Sequence, residues 1–263
     1  MALYKTRAVV IGRRALGESD RLVDFYTREF GKVRGVARAA RRPRSRFGSA
    51  LELFTLGELV FFDTGRSELV RVDHFDILHP FVRVREHLER LGQGAWAVEC
   101  VSSLSADRDS HPALFGLLVR TLRALEGRTP PARVSVCFAL RAVDLLGHRP
   151  RIDRCVACGT TAPRRGAALD VAAGGLVCGE CGPGPQAIPL SAATIWALRR
   201  LRELRWEDGL GFPLSPAVDG ELGLVLEGVV ARLSGRASRA SRFLSQTRRA
   251  LMPLPPPHGG RHG

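Results

Sequence analysis

The sequence predicts a multidomain α+β protein, in which a five-stranded β-barrel is followed by an α-helical domain that carries a four-cysteine, zinc-ribbon-like insertion. Three observations predict this class. Residues 7–78 contain short β-branched and aromatic runs separated by turn residues, residues 82–234 contain apolar residues at helical spacing, and two Cys-x2-Cys pairs interrupt the helical pattern. With 263 residues, the chain is long enough for two domains.

The first part of the chain has the pattern of a small barrel. Five short strands within about 70 residues, without a helical period between them, favour closure, because a closed barrel leaves no strand edge unpaired. The pattern fits an OB-fold and an SH3-like barrel equally well. The predicted strands cover residues 7–12, 21–27, 31–38, 51–64 and 68–78, with the fourth bent or split near Gly57.

The second part has the pattern of helices that bury one face. Leu114, Leu118 and Leu122, for example, fall on one side of a helix. Segments rich in Gly, Pro, Asp and Ser separate the helices, where an Asp or Ser can cap the next one, and Ser191 is expected to cap the fourth. The predicted helices cover residues 82–104, 112–126, 132–148, 191–206 and 216–234.

These elements predict three regions of the chain. A nucleic-acid-binding barrel domain is expected over residues 1–80, and a helical domain over 81–250, with its zinc-binding insert at about 152–183. The last residues, 251–263, are rich in Pro and Gly and are expected to be disordered.

The positive charge of the chain is concentrated at its two ends. The net charge is +14, yet residues 1–46 carry 13 Lys and Arg against four acids, and residues 234–263 carry six Arg and no acid. Such clusters indicate a polyanionic partner, although a charge run is also typical of a solvated loop. Pro43 in the densest run disfavours an amphipathic membrane-surface helix. No apolar segment is long enough to cross a membrane, so a cytoplasmic protein is expected.

Four cysteines form two pairs with metal-site spacing. Cys155 and Cys158 are followed by Cys178 and Cys181, and paired thiolates at this spacing favour a tetrahedral zinc ion over a redox pair or free thiols. Four thiolates leave no position for water, so the zinc is expected to be structural. The other two cysteines, Cys100 and Cys137, lie on apolar helical faces and are expected in the core, and His148 is expected at a helix end.

No catalytic motif stands out in the sequence. Phosphate-binding loops, HExxH, GxSxG and dinucleotide fingerprints are all missing, so the protein is not expected to be an enzyme. Glu18 and Asp20 are more typical of a turn than of a catalytic carboxylate pair. A binding protein is therefore favoured, and an RNA-binding zinc protein of translation or ribosome assembly and an enzyme with a redox-active cysteine pair remain as alternatives.

Particular residues resemble those of the RecO family of recombination and DNA-repair mediators. A Gly-Glu-x-Asp turn, a Thr-x-x-x-Gly-Lys hairpin and a basic loop follow one another as they do in that family, and the segment GRASRASRFL (235–244) is similar to its closing segment. The residues that carry the resemblance are Gly17, Glu18, Asp20, Thr27, Gly31, Lys32, Ala40, Arg41, Arg42, Ser45 and Arg46.

The resemblance implies an OB-fold that binds single- and double-stranded DNA and anneals complementary strands. It also implies a cytoplasmic, nucleoid-associated protein that works with RecR to place RecA on strands coated by single-stranded-DNA-binding protein (SSB), whose C-terminal tail docks on the helical domain. Arg236, Arg239 and Arg242 recur at three-residue spacing and are the expected tail-binding residues, with a solvated basic helix as the alternative. The expected DNA-binding residues are Lys32, Arg34, Arg38, Arg41, Arg42, Arg44, Arg46 and Phe47.

The aromatic residue among the expected DNA-binding residues, Phe47, has a competing interpretation. The ring of Phe47, or those of Phe25 and Tyr26, can stack on a base. With only 6% aromatic residues in the chain, these three rings are more typical of the barrel core.

Overall fold

The N-terminal part of the chain folds into a closed barrel. The computed structural model describes residues 2–65, 67–161, 163, 165–235, 238–240, 242 and 243. The strand order is β1-β2-β3-β5-β4, and β4 pairs with β1 to close the sheet. Neighbouring strands are antiparallel except β3 and β5, which are parallel, and this topology fits an OB-fold. The strands are β1 (Ala2–Leu16), β2 (Asp20–Thr27), β3 (Gly31–Ala37), β4 (Leu56–Asp63) and β5 (Leu69–His79).

The predicted strands differ from the observed ones in two places. The first strand is longer, because its ends pair with β4 and β2 beyond the apolar run that predicted it. The prediction of strand over residues 51–55 was wrong, since these residues form turns. Phe54 has a left-handed φ of 73° and donates its N–H to the Val10 carbonyl at 2.8 Å, so the chain turns here before β4 begins.

Helices follow the barrel, close to where the apolar spacing predicted them. The predicted helix over 82–104 is two helices, because His87 is extended, with φ −117° and ψ 120°. Ser191 caps α5 as expected, whereas the side chain of His111, rather than an Asp or Ser, caps α3. The helices are α1 (Val82–Glu86), α2 (Leu88–Leu104), α3 (Pro112–Glu126), α4 (Pro131–Leu145), α5 (Ala192–Glu203), α6 (Trp206–Gly211) and α7 (Pro216–Ser234).

A three-stranded antiparallel sheet lies between α4 and α5. Its strands are β6 (Ala167–Asp170), β7 (Gly175–Cys178) and β8 (Ile188–Leu190), in the order β7-β6-β8. The sequence pattern did not predict these strands, because each has only three or four residues, too few for a period of two to be recognised.

The barrel and the helices share one apolar core. Val9, Tyr26 and Phe54 of the barrel belong to the same buried cluster as Leu114 and Leu118 of α3. A second cluster fills the inside of the barrel. The expectation that Cys100 and Cys137 are core residues is confirmed, and burial raises the pKa of both thiols.

Polar contacts also join the two parts. The Lys32 ammonium donates to the Ser102 carbonyl at 2.8 Å and pairs with Asp107 at 2.9 Å. The Arg108 N–H donates to the Lys32 carbonyl at 3.2 Å. The β2–β3 hairpin is therefore fixed against the segment that follows α2. Among the described residues, no helix is long and apolar enough to cross a lipid bilayer.

We predict that Gly31→Ala destabilises the protein more than Gly17→Ala does. Both glycines have a positive φ, 59° and 57°, so alanine at either position costs about 1–2 kcal/mol of backbone strain. A Cβ at Gly31 would also lie 2.0 Å from the Asp109 carbonyl oxygen, whereas Gly17 faces open space. Urea unfolding of the two variants measures the difference. Equal losses of stability would show that the β2–β3 hairpin and the Asp109 backbone can move apart without a further loss of stability.

Candidate nucleic-acid interface and metal site

The chain between β3 and β4 contains the densest run of arginines, residues 38–46, called here the arginine loop. It packs on the turn between β1 and β2. The Ala39 N–H donates to the Asp20 carboxylate at 2.8 Å, the Arg41 N–H to the Ser19 carbonyl at 2.9 Å, and the Arg41 guanidinium to the Gly17 carbonyl at 2.9 Å. The Glu18–Asp20 segment is therefore the turn that the sequence predicted, and its role is to hold the loop.

Asp20 is the acid that anchors the loop. The N–H of Ala39 and the hydroxyl of Ser19 donate to its carboxylate and lower its pKa below the usual value, with a smaller contribution from the charges of Arg38 and Arg42. A lowered pKa means that the carboxylate form is favoured by the folded loop. Asp20 therefore stays charged and bonded to the loop at neutral pH.

Consecutive turns divide the loop and the residues after it into an inner and an outer side. Backbone hydrogen bonds join residues three apart, for example the Ser45 N–H to the Arg42 carbonyl at 3.0 Å. The inner, buried side chains are apolar and complete the barrel core, while the arginines stay in solvent. The buried residues are Ala40, Phe47, Ala50 and Leu51, and the exposed ones are Arg38, Arg41, Arg42, Arg44 and Arg46.

The exposed arginines of the loop form no salt bridges in the described part of the chain. In the described part of the chain, none of the five forms a salt bridge with a carboxylate, although 13 salt bridges occur elsewhere in it. Arg14 on β1, which the sequence reasoning missed, is likewise exposed and without a salt bridge. The sequence feature that could have identified Arg14 is its position three residues before the turn at Gly17. The result is a concentration of unneutralised positive charge at one end of the barrel.

Two of the predicted DNA-binding cations have other partners. Lys32 is bound to Ser102 and Asp107, as described above. The Arg34 guanidinium pairs with the Asp24 carboxylate, which raises the pKa of Arg34 above its usual value. Both residues lie beside a cleft between the barrel and the segment after α2, and the structure does not bring them into the arginine loop.

The expectation that Phe47 offers a free ring to a base is corrected by the structure. Only 4% of Phe47 is exposed, and the ring packs in the barrel core with the Arg46 guanidinium 5.1 Å from its centre. Phe25 and Tyr26 are fully buried as well. The competing interpretation, that these rings belong to the core, is confirmed, because a ring at 4% exposure has no face left for stacking.

Two of the three predicted tail-binding arginines, Arg239 and Arg242, lie in the described part of the chain. Arg236 is outside the described residues. The Glu99 carboxylate of α2 accepts hydrogen bonds from the Ser238 hydroxyl at 2.8 Å and from the N–H groups of Arg239 and Ala240 at 3.0 and 2.9 Å. The backbone of this segment is thus anchored, and Arg239 and Arg242 are exposed.

The four paired cysteines come together at one point. The sulfur atoms of Cys155, Cys158, Cys178 and Cys181 all lie within 4.8 Å of one another, and those of Cys158 and Cys178 are 3.7 Å apart. Two chain turns hold them: the Gly159 N–H donates to the Cys155 carbonyl at 2.9 Å, and the Cys181 N–H donates to the Cys178 carbonyl at 3.1 Å. His148 follows α4 and is not part of this cluster.

The electrostatic environment of the four thiols favours the binding of a cation. Backbone N–H groups near Cys158 and Cys178 point at the Cys155 sulfur and lower the pKa of that thiol to about 6. The thiol of Cys181 shares hydrogen bonds with the sulfurs of Cys178 and Cys158, which raises its pKa to about 12. Four sulfurs at this separation can all be thiolates only when a positive ion offsets their repulsion. The arrangement therefore can bind a metal ion.

Comparison with known proteins places the chain in a family. The model named Recombination protein O N terminal matches residues 1–81, and the model named Recombination protein O C terminal matches residues 85–242. The chain belongs to the RecO family. The first match spans the barrel, and the second, which begins within α1, spans the helices and the cysteine cluster.

Full-length relatives agree with these matches. DNA repair protein RecO of Anaeromyxobacter dehalogenans (strain 2CP-C) is 36% identical over 247 residues, which cover 94% of this chain and 97% of the relative. The protein of the same name from Geobacter sulfurreducens is 37% identical over 245 residues, covering 92% and 97%, and that from Myxococcus xanthus is 34% identical over 247 residues, covering 94% and 98%. This chain is therefore a RecO-family DNA repair protein, and the alternative of an RNA-binding protein of translation is not favoured.

Proposed function

We propose that this RecO protein is a recombination mediator that binds single- and double-stranded DNA and anneals complementary strands without a catalytic step. The observation that carries the proposal is the arginine loop, in which five exposed arginines lie on a loop fixed to the barrel and form no salt bridge with a described carboxylate. In the proposed division of the chain, residues 1–80 form the DNA-binding barrel domain, and residues 81–250 form the helical domain that carries the zinc-binding insert and docks the SSB tail.

The chemistry of the loop suits the DNA backbone. Guanidinium groups match phosphate oxygens with two parallel hydrogen bonds, and each phosphate that they neutralise releases counterions. This gives affinity without sequence preference, because the backbone carries no sequence information. Neutralising phosphates also lowers the repulsion between two strands, so annealing needs no chemical reaction. The buried aromatic rings add no base stacking in this arrangement.

We predict that replacing Arg42, Arg44 and Arg46 together by Gln weakens DNA binding and its dependence on salt. If each arginine contacts one phosphate, the slope of log K against log salt falls by roughly 2–3, since each phosphate contributes about 0.7–0.9. Fluorescence anisotropy with a labelled oligonucleotide from low to moderate salt measures the slope. The side chains of Arg42, Arg44 and Arg46, unlike that of Arg41, donate no hydrogen bond to the protein backbone in the described structure, so their replacement removes no such bond.

The matched control removes the same charge from the helices. Arg83 of α1, Arg123 of α3 and Arg128 after α3 are exposed and form no salt bridge with a described residue. Their triple replacement by Gln changes the net charge equally and is expected to leave the slope within about one unit. Equal losses in both triple variants would mean that only net charge matters, and an unchanged slope in the loop variant would remove the arginine loop from the interface.

We propose that the cysteine cluster binds one structural zinc ion. A tetrahedral ion with Zn–S bonds of about 2.3 Å places its sulfur ligands about 3.8 Å apart. The 3.7 Å between Cys158 and Cys178 supports this geometry. With four sulfur ligands the ion has no site for a water, so its chemistry would be confined to holding the insert together. This reading also disfavours a redox role, because all four sulfurs are used for binding.

We predict one zinc per chain, lost in Cys158→Ser and retained in Cys100→Ala. Cys158 supplies one sulfur of the cluster, whereas Cys100 is buried in the helical core, so the second variant controls for the loss of a thiol. Elemental analysis after dialysis measures the metal, and limited proteolysis measures the folding of the insert. Cleavage near residue 160 is expected to increase only when zinc is lost. Equal zinc contents in both variants would contradict the assignment.

We propose further that the protein works with RecR to load RecA on SSB-coated single strands, in the cytoplasm at the nucleoid. In this proposal, the acidic SSB tail docks on the helical part beside the C-terminal arginines. Arg239 and Arg242 are exposed there, and the Glu99 carboxylate anchors the backbone that carries them. Arg236 joins this set by its spacing in the sequence.

We predict that the protein accelerates annealing of two complementary oligonucleotides that are each coated with SSB, and that this acceleration needs the SSB tail. Fluorescence-detected annealing with full-length and tail-deleted SSB measures both effects. Replacing Arg239 and Arg242 by Gln is expected to slow annealing of coated strands while annealing of naked strands stays within about twofold, because the loop of the barrel is unchanged. Equal rates with and without the tail would contradict the mediator proposal and leave a general DNA-binding protein.

A further inference from the structure

A second group of exposed arginines lies along the chain on both sides of the first cysteine pair. Residues 147–166 contain five arginines and a single acid, Asp153, although the middle of the chain as a whole has almost no net charge. Four of the five are described and exposed, and none of the four forms a salt bridge with a described carboxylate. We call them the insert patch, and they are Arg149, Arg151, Arg154 and Arg165.

The segment that carries the first arginines is extended and fixed in place. Ile152 is buried, which turns its neighbour Arg151 toward solvent. The Arg199 guanidinium of α5 donates to the carbonyls of Ile152 and Asp153, both at 2.8 Å, and Arg202 donates to the Pro150 carbonyl at 2.9 Å. The backbone beneath the patch is therefore held by buried or half-buried arginines of α5.

The insert brings the remaining arginines to the same place. Arg154 precedes Cys155 of the first chain turn, and Arg165 lies beside Gly179 in the second, where an added Cβ would meet the Arg165 carbonyl at 2.5 Å. Arg151 lies against Gly175 in the same way, at 2.3 Å. Because the four sulfurs lie within 4.8 Å of one another, the two turns are adjacent, and the backbone of Arg154 and Arg165 is brought to the same region.

The acids near the patch do not cancel its charge. Asp153 is exposed between two arginines, and the Glu180 carboxylate accepts a hydrogen bond from the Arg165 backbone N–H at 3.2 Å rather than from its guanidinium. Asp153 and Glu180 therefore leave the four described guanidinium groups with an excess of positive charge. A net positive surface of this kind suits a polyanion of uniform charge, such as a DNA strand.

We infer that the insert patch is a second DNA-binding surface, which holds one strand while the arginine loop holds another. The inference rests on the proposed DNA binding by the barrel. The insert packs on α5 and on α7 through β8, whereas the arginine loop packs on the turn between β1 and β2, so the two surfaces belong to different elements of the fold. Both bind phosphate without reading sequence, and one chain can therefore bring two strands together before they pair.

The test uses two strands that cannot pair. One oligonucleotide is fixed to beads and a second, labelled and not complementary to it, is captured only when the protein holds both. The test variant carries R149Q, R151Q and R154Q, and the control carries Arg83, Arg123 and Arg128 replaced by Gln, which removes the same charge from the helices. Zinc content of the test variant reports that the insert is folded.

The expected result is a loss of bridging with little loss of binding. The R149Q, R151Q, R154Q variant of the full chain should capture the second strand about tenfold less than the unchanged protein, because three phosphate contacts are removed. Its affinity for a single strand should stay within about twofold of that of the unchanged protein. The control should capture normally. Annealing of naked complementary strands should slow in parallel with the loss of capture.

Other outcomes overturn the inference in distinguishable ways. Normal capture by the test variant, with capture lost when the arginine loop is neutralised, would mean that two copies bridge the strands through their barrels. Normal capture with weaker binding of a synthetic acidic peptide would assign the patch to a protein partner. If neutralising the arginine loop leaves single-strand binding unchanged, the proposed DNA binding by the barrel is wrong. Capture by the R149Q, R151Q, R154Q variant then shows separately whether the insert patch binds DNA.

Discussion

The arginine loop is held by apolar side chains and backbone hydrogen bonds, not by ion pairs, and the proposed DNA binding depends on this. Phe47 and Leu51 fill the end of the barrel, while the N–H groups of Ala39 and Arg41 bond to the turn between β1 and β2. A loop fixed by its own acids would be equally rigid, but its guanidinium groups would already have partners. Here a single carboxylate, that of Asp20, binds backbone, and the arginine charges remain available for phosphate.

The same division recurs at the insert. Arg199 and Arg202 lie inward and bond to main-chain carbonyls, whereas Arg149 and Arg151 lie on the surface. Arg199 and Arg202 thus fix the backbone of this segment, whereas the side chains of Arg149 and Arg151 are exposed to solvent. The four cysteines of this region converge at one point, while Leu169 and Leu176 of its sheet are buried in the core shared with the helices.

A shared core makes the barrel and the helices a continuous unit. Tyr26 and Phe54 belong to the same buried cluster as the helices, and Lys32 binds the β2–β3 hairpin to the segment after α2. Lys32 matches the family pattern, yet its contacts here are within the protein. A cation at a motif position therefore stabilises the contact between the two parts, and the motif alone does not separate this role from DNA binding.

The sequence by itself determined the kinds of element, their order and the chemistry of the candidate sites. Apolar spacing located the helices other than α6, the repeated Cys-x2-Cys pairs located the candidate metal site, and the run of arginines located the charged loop, because each of these signals is local in the chain. It left the barrel type open between two topologies. It also missed β6 to β8, whose strands are too short to show a period, and the break at His87.

Tertiary structure decided which of those residues are available. Phe47, Lys32 and Arg34 have the residue types expected of DNA-binding residues, but in the folded chain the first is buried and the other two are paired with Asp107 and Asp24. Arg14 and the insert patch become notable only when the fold shows which arginines lack partners. The physical reason is that burial and ion pairing are set by neighbours in space, about which a local sequence pattern contains little information.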